Sequence, residues 1–246
     1  MPTLAELAES TALYLLPQPG YERVARDELT YIAGPLNAWV VGATVADVEW
    51  ARAESRRRGI PLVEWWLGWT GPPQLAEELL AQGLVPDDEP ILTGMTCASE
   101  PAPAPHIEVR TIETAEQYLE AVAVDWAVWN FSDAERKRRR ATEVDRFDAT
   151  QAAGTAHHWA AFDDGHAVGF GRALDMDDGV ALMGGAVLPE ARGRGVYRAL
   201  VHARWKHAVA RGTPLLVVQA GHMSAPVLAG LGFETHGEIR LFADRL

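Results

Sequence analysis

Apolar and polar positions follow two periods along this chain, and the places where one gives way to the other mark its elements. Val180 to Met183 and Ala186 to Leu188 read as one buried strand interrupted by Gly184 and Gly185, and Leu200, Val201, Trp205 and Val209 then recur at helical spacing. Thr213-Pro214 opens an apolar strand, Leu215 to Val218. It is followed by a short helix from about Ser224 to Leu231, Gly232-Phe233, and a last strand near Glu238 to Phe242. Upstream lie a strand at Ile107 to Val109 and a helix over 115–126, in which Leu119, Val122, Ala123 and Trp126 share a face. Ser132-Asp-Ala-Glu135 has the form of a capping box before another helix. A hairpin runs from Ala156 to Phe162 and from Ala167 to Leu174, turning at Asp163-Asp-Gly165.

The first hundred residues show the same alternation. Leu13 to Leu16 and Val40-Val41 are strand cores, and Val45 to Arg58 is a helix with basic residues at its C-terminus and Gly59 as its stop. Leu62 to Leu67 is a strand, Leu75 to Gln82 a helix after Pro72-Pro73, Gly83 its stop, and Ile91 to Met95 a strand. Ala98 to Pro105 carries prolines at 101, 103 and 105 and reads as an extended, fairly stiff linker. The boundaries expected are therefore 1–97, a Pro/Ala linker over 98–106, and 107–246. The first part repeats the ending of the second: strand, helix, Gly-Leu or Gly-Phe, strand. An unrelated small α/β domain would share the bare strand-helix-strand order.

Val187-Leu-Pro-Glu-Ala-Arg-Gly-Arg-Gly-Val-Tyr-Arg-Ala-Leu200 joins the glycine-marked strand to its helix. The first N–H groups of a helix have no intrahelical partner, and the macrodipole adds partial positive charge, so this turn can hold an anion. Gly193 and Gly195 permit close backbone approach, and Arg192, Arg194 and Arg198 bring fixed charge. An ordinary turn with solvated arginines is the plainer reading.

Arg192-Gly-Arg-Gly-Val-Tyr197, followed by the strand, helix, Gly232-Phe233 and strand, resembles the acyl-CoA loop and ending of the GCN5-related N-acetyltransferases, over about residues 107–246. Tyr197 stands where that family has a small residue. The resemblance implies an α/β (α+β) fold, with a mixed central sheet flanked by helices, and a degenerate half of the same kind at 1–97, which lacks the glycine-arginine turn. It implies acetyl-CoA as co-substrate. Gly185, Ala186 and Val187 would face pantetheine, and Arg192, Gly193, Arg194, Gly195, Val196, Tyr197 and Arg198 the pyrophosphate. Trp126, Trp129, Asn130 and Phe131 become candidate acceptor walls, although aromatics near a helix end also serve as core.

The implied reaction is direct acetyl transfer to a primary amine of a small molecule or an amino terminus. It needs a base for the amine, a donor for the thioester oxygen and an acid for the leaving thiolate. The family's tyrosine acid aligns with Leu228, its strand carboxylate falls among Val217 to Gln219, and its asparagine aligns with Gly221. His222, Ser224 and Tyr197 remain as candidates, with a loop histidine and a helix-capping serine as the simpler readings. Those gaps support an alternative: a CoA-binding regulatory or scaffold protein.

Composition narrows the partners. Lys and Arg number 22 against 34 Asp and Glu, a net charge of −12, which argues against nucleic acid or an anionic membrane and suits a cationic acceptor. One cysteine, Cys97, fits a reducing cytoplasm. No apolar stretch is long enough to span a bilayer, and the start of the chain lacks a basic signal-peptide head. No Cys or His spacing suggests a metal cluster. His157 and His158 fall on opposite strand faces, and Asp175, Asp177 and Asp178 read as a solvated turn rather than a Ca²⁺ site. The run Arg136 to Arg140 reads as a solvated helix face rather than a phosphate site. Two fused halves would reduce the need for a dimer, so a monomer is favoured over a homodimer.

Overall fold

A computed structural model describes residues 2–10, 20–26, 29–104 and 106–246. The expected strand core at Leu13 to Leu16 lies outside the described residues. The chain divides into two compact units, Met1–Thr96 with Val218–Leu246, and Cys97–Val217. Both are mixed α/β. Among the described residues, no helix is long and apolar enough to cross a membrane.

In the unit Cys97–Val217, strands β6 (Glu108–Thr111), β7 (Ala156–Asp163), β8 (His166–Asp175) and β9 (Val180–Val187) lie side by side and antiparallel. The β7–β8 turn places Asp164 at φ 46° and Gly165 at φ 81°, the left-handed pair that a two-residue hairpin of the right twist demands. Helix α4 (Ala115–Val128) and helix α5 (Asp133–Ala153) each begin in a full capping box, Thr114 with Gln117 and Ser132 with Glu135. Tyr118, Val122, Trp126, Phe147, Phe170 and Ala186 share one core. Helix α6 (Val196–Ala210) packs on β8 and β9. Gly169 makes that contact possible, because a Cβ there would lie 2.6 Å from Val196 Cγ1.

The expected linker has no regular structure, yet it is not a free spacer. Pro101 and Ala104 are buried, Glu100 pairs with His202 of α6 at 2.9 Å, and His106 Nε2 lies 2.9 Å from the Arg194 carbonyl. Pro105 lies outside the described residues. One boundary between the compact units falls at Thr96–Cys97, beside the start of the expected linker, and the other within the strand Leu216–Ala220.

The other unit holds β1 (Glu22–Arg26), β2 (Leu29–Ala33), β3 (Ala38–Val41), β4 (Leu62–Leu67), β11 (Glu234–Arg245) and β5 (Val85–Cys97), hydrogen-bonded in that order. The strands β1 and β2 and the first helix, α1 (Leu4–Ser10), were not expected; the exposed, charged β1 carries no strand pattern. Helix α2 (Val48–Arg58) is capped by Asp47 and ended by Gly59 at φ 70°. Arg52 forks onto the buried Asp244 at 2.8 and 3.0 Å, joining α2 to β11.

The internal repeat extends to single bonds. Helix α3 (Leu75–Ala81) ends when Leu84 N–H reaches back to Leu79 C=O, past Gly83 at φ 88°. Helix α7 (Ala225–Ala229) ends when Phe233 N–H reaches back to Leu228 C=O, past Gly232 at φ 93°. Both are six-residue loops closed through a left-handed glycine, a Schellman-type stop. Leu79 and Leu228 are both 0% exposed. Position 228, where the family's acid would stand, is thus a core position of the helix stop.

Candidate functional site

The glycine-marked strand departs from regular pairing where chemistry needs it. Gly171 faces Gly185 across β8 and β9, but Arg172 faces Met183, so Gly184 is an extra residue, a bulge at φ 58°. On its other edge β9 pairs in parallel with β10 (Leu216–Ala220) through two rungs only, Leu216 with Val180 and Val217 with Ala181. Leu188 N–H bonds to Val168 C=O, so alternation turns the N–H and C=O of Val187 and Gly185 away from β8, to the edge beyond those two rungs. Gly184 and Gly185 are exposed. These are the donors and acceptors the sequence assigns to pantetheine, while Ala186 is buried and its backbone faces β8.

After a 3-10 turn, Pro189–Ala191, the chain enters the loop through Gly193 at φ 75° and caps α6 with Gly195 at φ 85°. No side chain caps this helix, and its first internal bond is Ala199 N–H to Gly195 C=O. The N–H groups of Val196, Tyr197 and Arg198 precede that bond, as an anion site requires. The three arginines are not equivalent. Arg194 forks onto Asp163 at 2.6 and 3.0 Å and so ties the loop to the β7–β8 turn. Arg192 is exposed, with Nε 3.3 Å from the Val187 carbonyl, and Arg198 is exposed on the first helical turn. Arg192 and Arg198 therefore carry the charge available to a ligand.

Tyr197 does not lie over the loop. Its ring packs beneath β9, where a Cβ on Gly185 would meet it at 2.8 Å. The larger residue is tolerated because position 185 is glycine. Burial raises the phenol pKa, opposed by the Arg204 guanidinium beside it, so the hydroxyl keeps its proton at neutral pH.

Arg204 was not singled out in the sequence. It is 0% exposed and among the described residues pairs with no carboxylate; Nε donates to Leu200 C=O at 3.0 Å, and NH1 lies 3.3 Å from the carbonyls of Arg172 and Gly184. Burial pulls its pKa down, with Tyr197 acting the other way. The guanidinium bridges both sides of the bulge and fixes it from below. Arg204→Ala is expected to lower unfolding stability by about 3 kcal/mol, since it strands two strand carbonyls and leaves a cavity. Urea denaturation followed by tryptophan fluorescence measures this, and an unchanged midpoint would show that the bulge holds itself.

The remaining candidates scatter. Trp126 is in the core at 4% exposure, so it walls no open surface. Trp129 is 63% exposed and donates from Nε1 to Asp125 at 3.1 Å; Asn130, at φ 53°, ends α4 beside it. Phe131 is covered by Arg139 at 4.2 Å, and its carbonyl accepts from Arg136. Two of the five cations in the basic run are thus engaged locally. Burial raises the Asp125 pKa against the pull of Arg172.

His222 and Ser224 belong to the unit that holds the first 96 residues. Ser224 makes no capping bond and its hydroxyl donates to Gly221 C=O at 3.2 Å, so the capping reading fails. His222 is not a lone loop residue. Its Nδ1 and backbone N each lie 2.7 Å from Glu89 Oε1 of β5. A Cβ on Gly221 would meet that carboxylate at 2.5 Å, so Glu89 fills the space a side chain at 221 would take. Sequence reading missed Glu89 because 133 residues separate it from His222.

Residues 122–233 match the sequence model of the Acetyltransferase (GNAT) family. Over those residues the chain is similar to GNAT domains. Such domains are generally acyl-CoA-dependent N-acetyltransferases. The fold of the whole chain is similar to that of a GCN5-related N-acetyltransferase from Kribbella flavida, at 16% identity and TM-score 0.70, covering 99% of this chain and 96% of that one. A tandem GNAT protein from the clavulanic acid biosynthesis pathway aligns at 17% identity and TM-score 0.59, over 99% and 88% of the two chains. A GCN5-related N-acetyltransferase from Sphaerobacter thermophilus aligns at 16% and 0.59, over 89% and 80%. No curated protein matches the chain. The GNAT match spans β9, the glycine-arginine loop, α6 and Gly232-Phe233.

In the first half, β3, α2 and β4 follow one another in the order that β9, α6 and β10 take in the second. Its parallel pair, β3 with β4, stays joined through four rungs, from Ala38–Val63 to Val41–Trp66. The helix that follows, α2, has the carboxylate of Asp47 at its start, accepting from Trp50 N–H and paired with Arg26 at 2.9 Å. At this helix start the chain itself supplies the anion, the Asp47 carboxylate.

Proposed function

We propose that residues 107–246 bind acetyl-CoA and transfer its acetyl group directly to a primary amine of a small molecule or amino terminus. The observation that carries this is the continuity of the bulged β9 edge with the Gly195-capped start of α6. One surface of a single unit offers backbone donors and acceptors for an amide-bearing arm, then unpaired N–H groups and arginines for a pyrophosphate. No enzyme nucleophile is needed, because the thioester is already activated; positioning and stabilisation of the oxyanion suffice for large accelerations. His222 is the imidazole among the sequence candidates for a base, and within its own unit the Glu89 carboxylate holds it through Nδ1. Residues 1–97 are the degenerate half, with Asp47 in place of the phosphate. The net charge of −12 favours a cationic acceptor.

The experiment is thiol release from acetyl-CoA with a panel of polyamines, aminoglycosides, amino acid amides and peptides bearing free amino termini. Acceptor-dependent release that is lost when Gly195 is replaced by a bulky residue supports the transferase. Tight acetyl-CoA binding without release on any acceptor would favour a CoA-binding regulatory role, the reading to which the buried Leu228 lends weight.

A further inference from the structure

We propose that His157, Asp175 and His207 form a divalent metal site of the zinc class, separate from the acyl-CoA surface. The three come from three elements of one unit: β7, the end of β8 and the last turns of α6. One ligand atom from each lies within 4.8 Å of the others. His207 Nε2 is 2.8 Å from Asp175 Oδ1, and His157 Nε2 is 3.0 Å from Asp175 Oδ2. Ligands about 2 Å from a tetrahedral ion stand about 3.3 Å apart, so the His207–Asp175 Oδ1 edge is near the spacing an ion imposes. The imidazole rings lie tilted at 47° with centroids 4.1 Å apart, and Trp159 walls the cluster 5.6 Å from the His207 ring.

Two imidazoles and a carboxylate are a borderline-soft set that suits Zn²⁺, leaving a fourth position for water. Side-chain exposures of 27, 14 and 20% leave the cluster reachable yet shielded from bulk competition. The support around it is of the kind that orients metal ligands: Arg211 Nε holds Asp175 Oδ2 at 3.0 Å and its NH1 braces the carbonyls of Met176 and Gly179. Asp175 thus keeps Oδ1 for the ion while Oδ2 stays fixed. His207 sits about 16 Å along α6 from its phosphate-facing start. An ion there would pin the far end of that helix to the β7–β8 hairpin, a structural role rather than a catalytic one.

The test uses the full chain, stripped with a chelator and titrated with Co²⁺ and then Zn²⁺. One equivalent of Co²⁺ should give the visible bands of a four- or five-coordinate nitrogen–oxygen site, and Zn²⁺ should abolish them. Zn²⁺ should also raise the thermal midpoint. His157→Gln, Asp175→Asn and His207→Gln, each checked for folding by circular dichroism, should weaken Co²⁺ binding by more than about tenfold. His202→Gln, elsewhere on α6, should not. The proposal is overturned if the wild type binds no stoichiometric Co²⁺, or if all three variants keep affinity within about tenfold of it.

Discussion

Gly195→Val is expected to abolish acyl-CoA binding and acetyl transfer while leaving the protein folded. The backbone at 195 stands at φ 85°, a region β-branched residues avoid, and a Cβ would meet Ala104 and the His106 ring at 3.4 Å. Relief of that strain rotates the cap and moves the N–H groups of Val196 to Arg198 off a common target. Each N–H moved off the pyrophosphate forfeits a hydrogen bond to a charged group, about 1.5–3 kcal/mol, so displacing the three proposed donors is enough to abolish binding. Isothermal titration with CoA and the thiol-release assay read the loss; circular dichroism reads the fold. Wild-type affinity in a folded Gly195→Val protein would remove the phosphate cradle from the mechanism.

Acid should destabilise the protein steeply through one buried imidazole. His158 is 2% exposed among the rings of Tyr118, Phe147 and Phe170, and its Nδ1 has no hydrogen-bond partner among the described residues. Burial, with Arg172 and Arg146 adding repulsion, pushes its pKa down to about 2. The unfolded chain takes up a proton near pH 6.5 that the folded one refuses until about pH 2. Stability from this residue is therefore complete above pH 6.5 and is lost as the pH falls, by about 1.4 kcal/mol per unit. Urea midpoints from pH 7 to 4.5 should show the wild type losing roughly 3 kcal/mol more than His158→Phe. Parallel curves for the two proteins would mean that the imidazole titrates normally. The phenylalanine fits because its neighbours are already aromatic.

The site was legible in proportion to how local its causes are. The glycine-arginine turn, the strand before it and the helix behind it stand in one run of sequence, so the loop geometry follows from neighbours a few residues apart. Helix boundaries with caps, Thr114–Gln117 and Ser132–Glu135, were equally local. What escaped was non-local. Arg204 reads as one more cation on a helix face until the bulge at Gly184 is placed against it. Glu89 meets His222 only through the pairing of distant elements, and Asp175 reads as a turn residue until β7 and α6 bring two histidines to it. Short strands such as β1 were missed because their burial pattern is polar on both faces.

By itself the sequence determined the order of elements from β3 onward, the glycine-marked start of α6, the duplicated strand-helix-strand and the apolar residue at Leu228. Each is a matter of period, φ preference or residue type, which the chain carries residue by residue. Only the tertiary structure decided which charges are free. It tied Arg194 to Asp163, left Arg192 and Arg198 exposed, put Asp47 on the first half's helix and turned Tyr197 under Gly185. An ion pair or a buried ring is set by what lies opposite in space, and spacing along a chain contains that only when the partner is a neighbour.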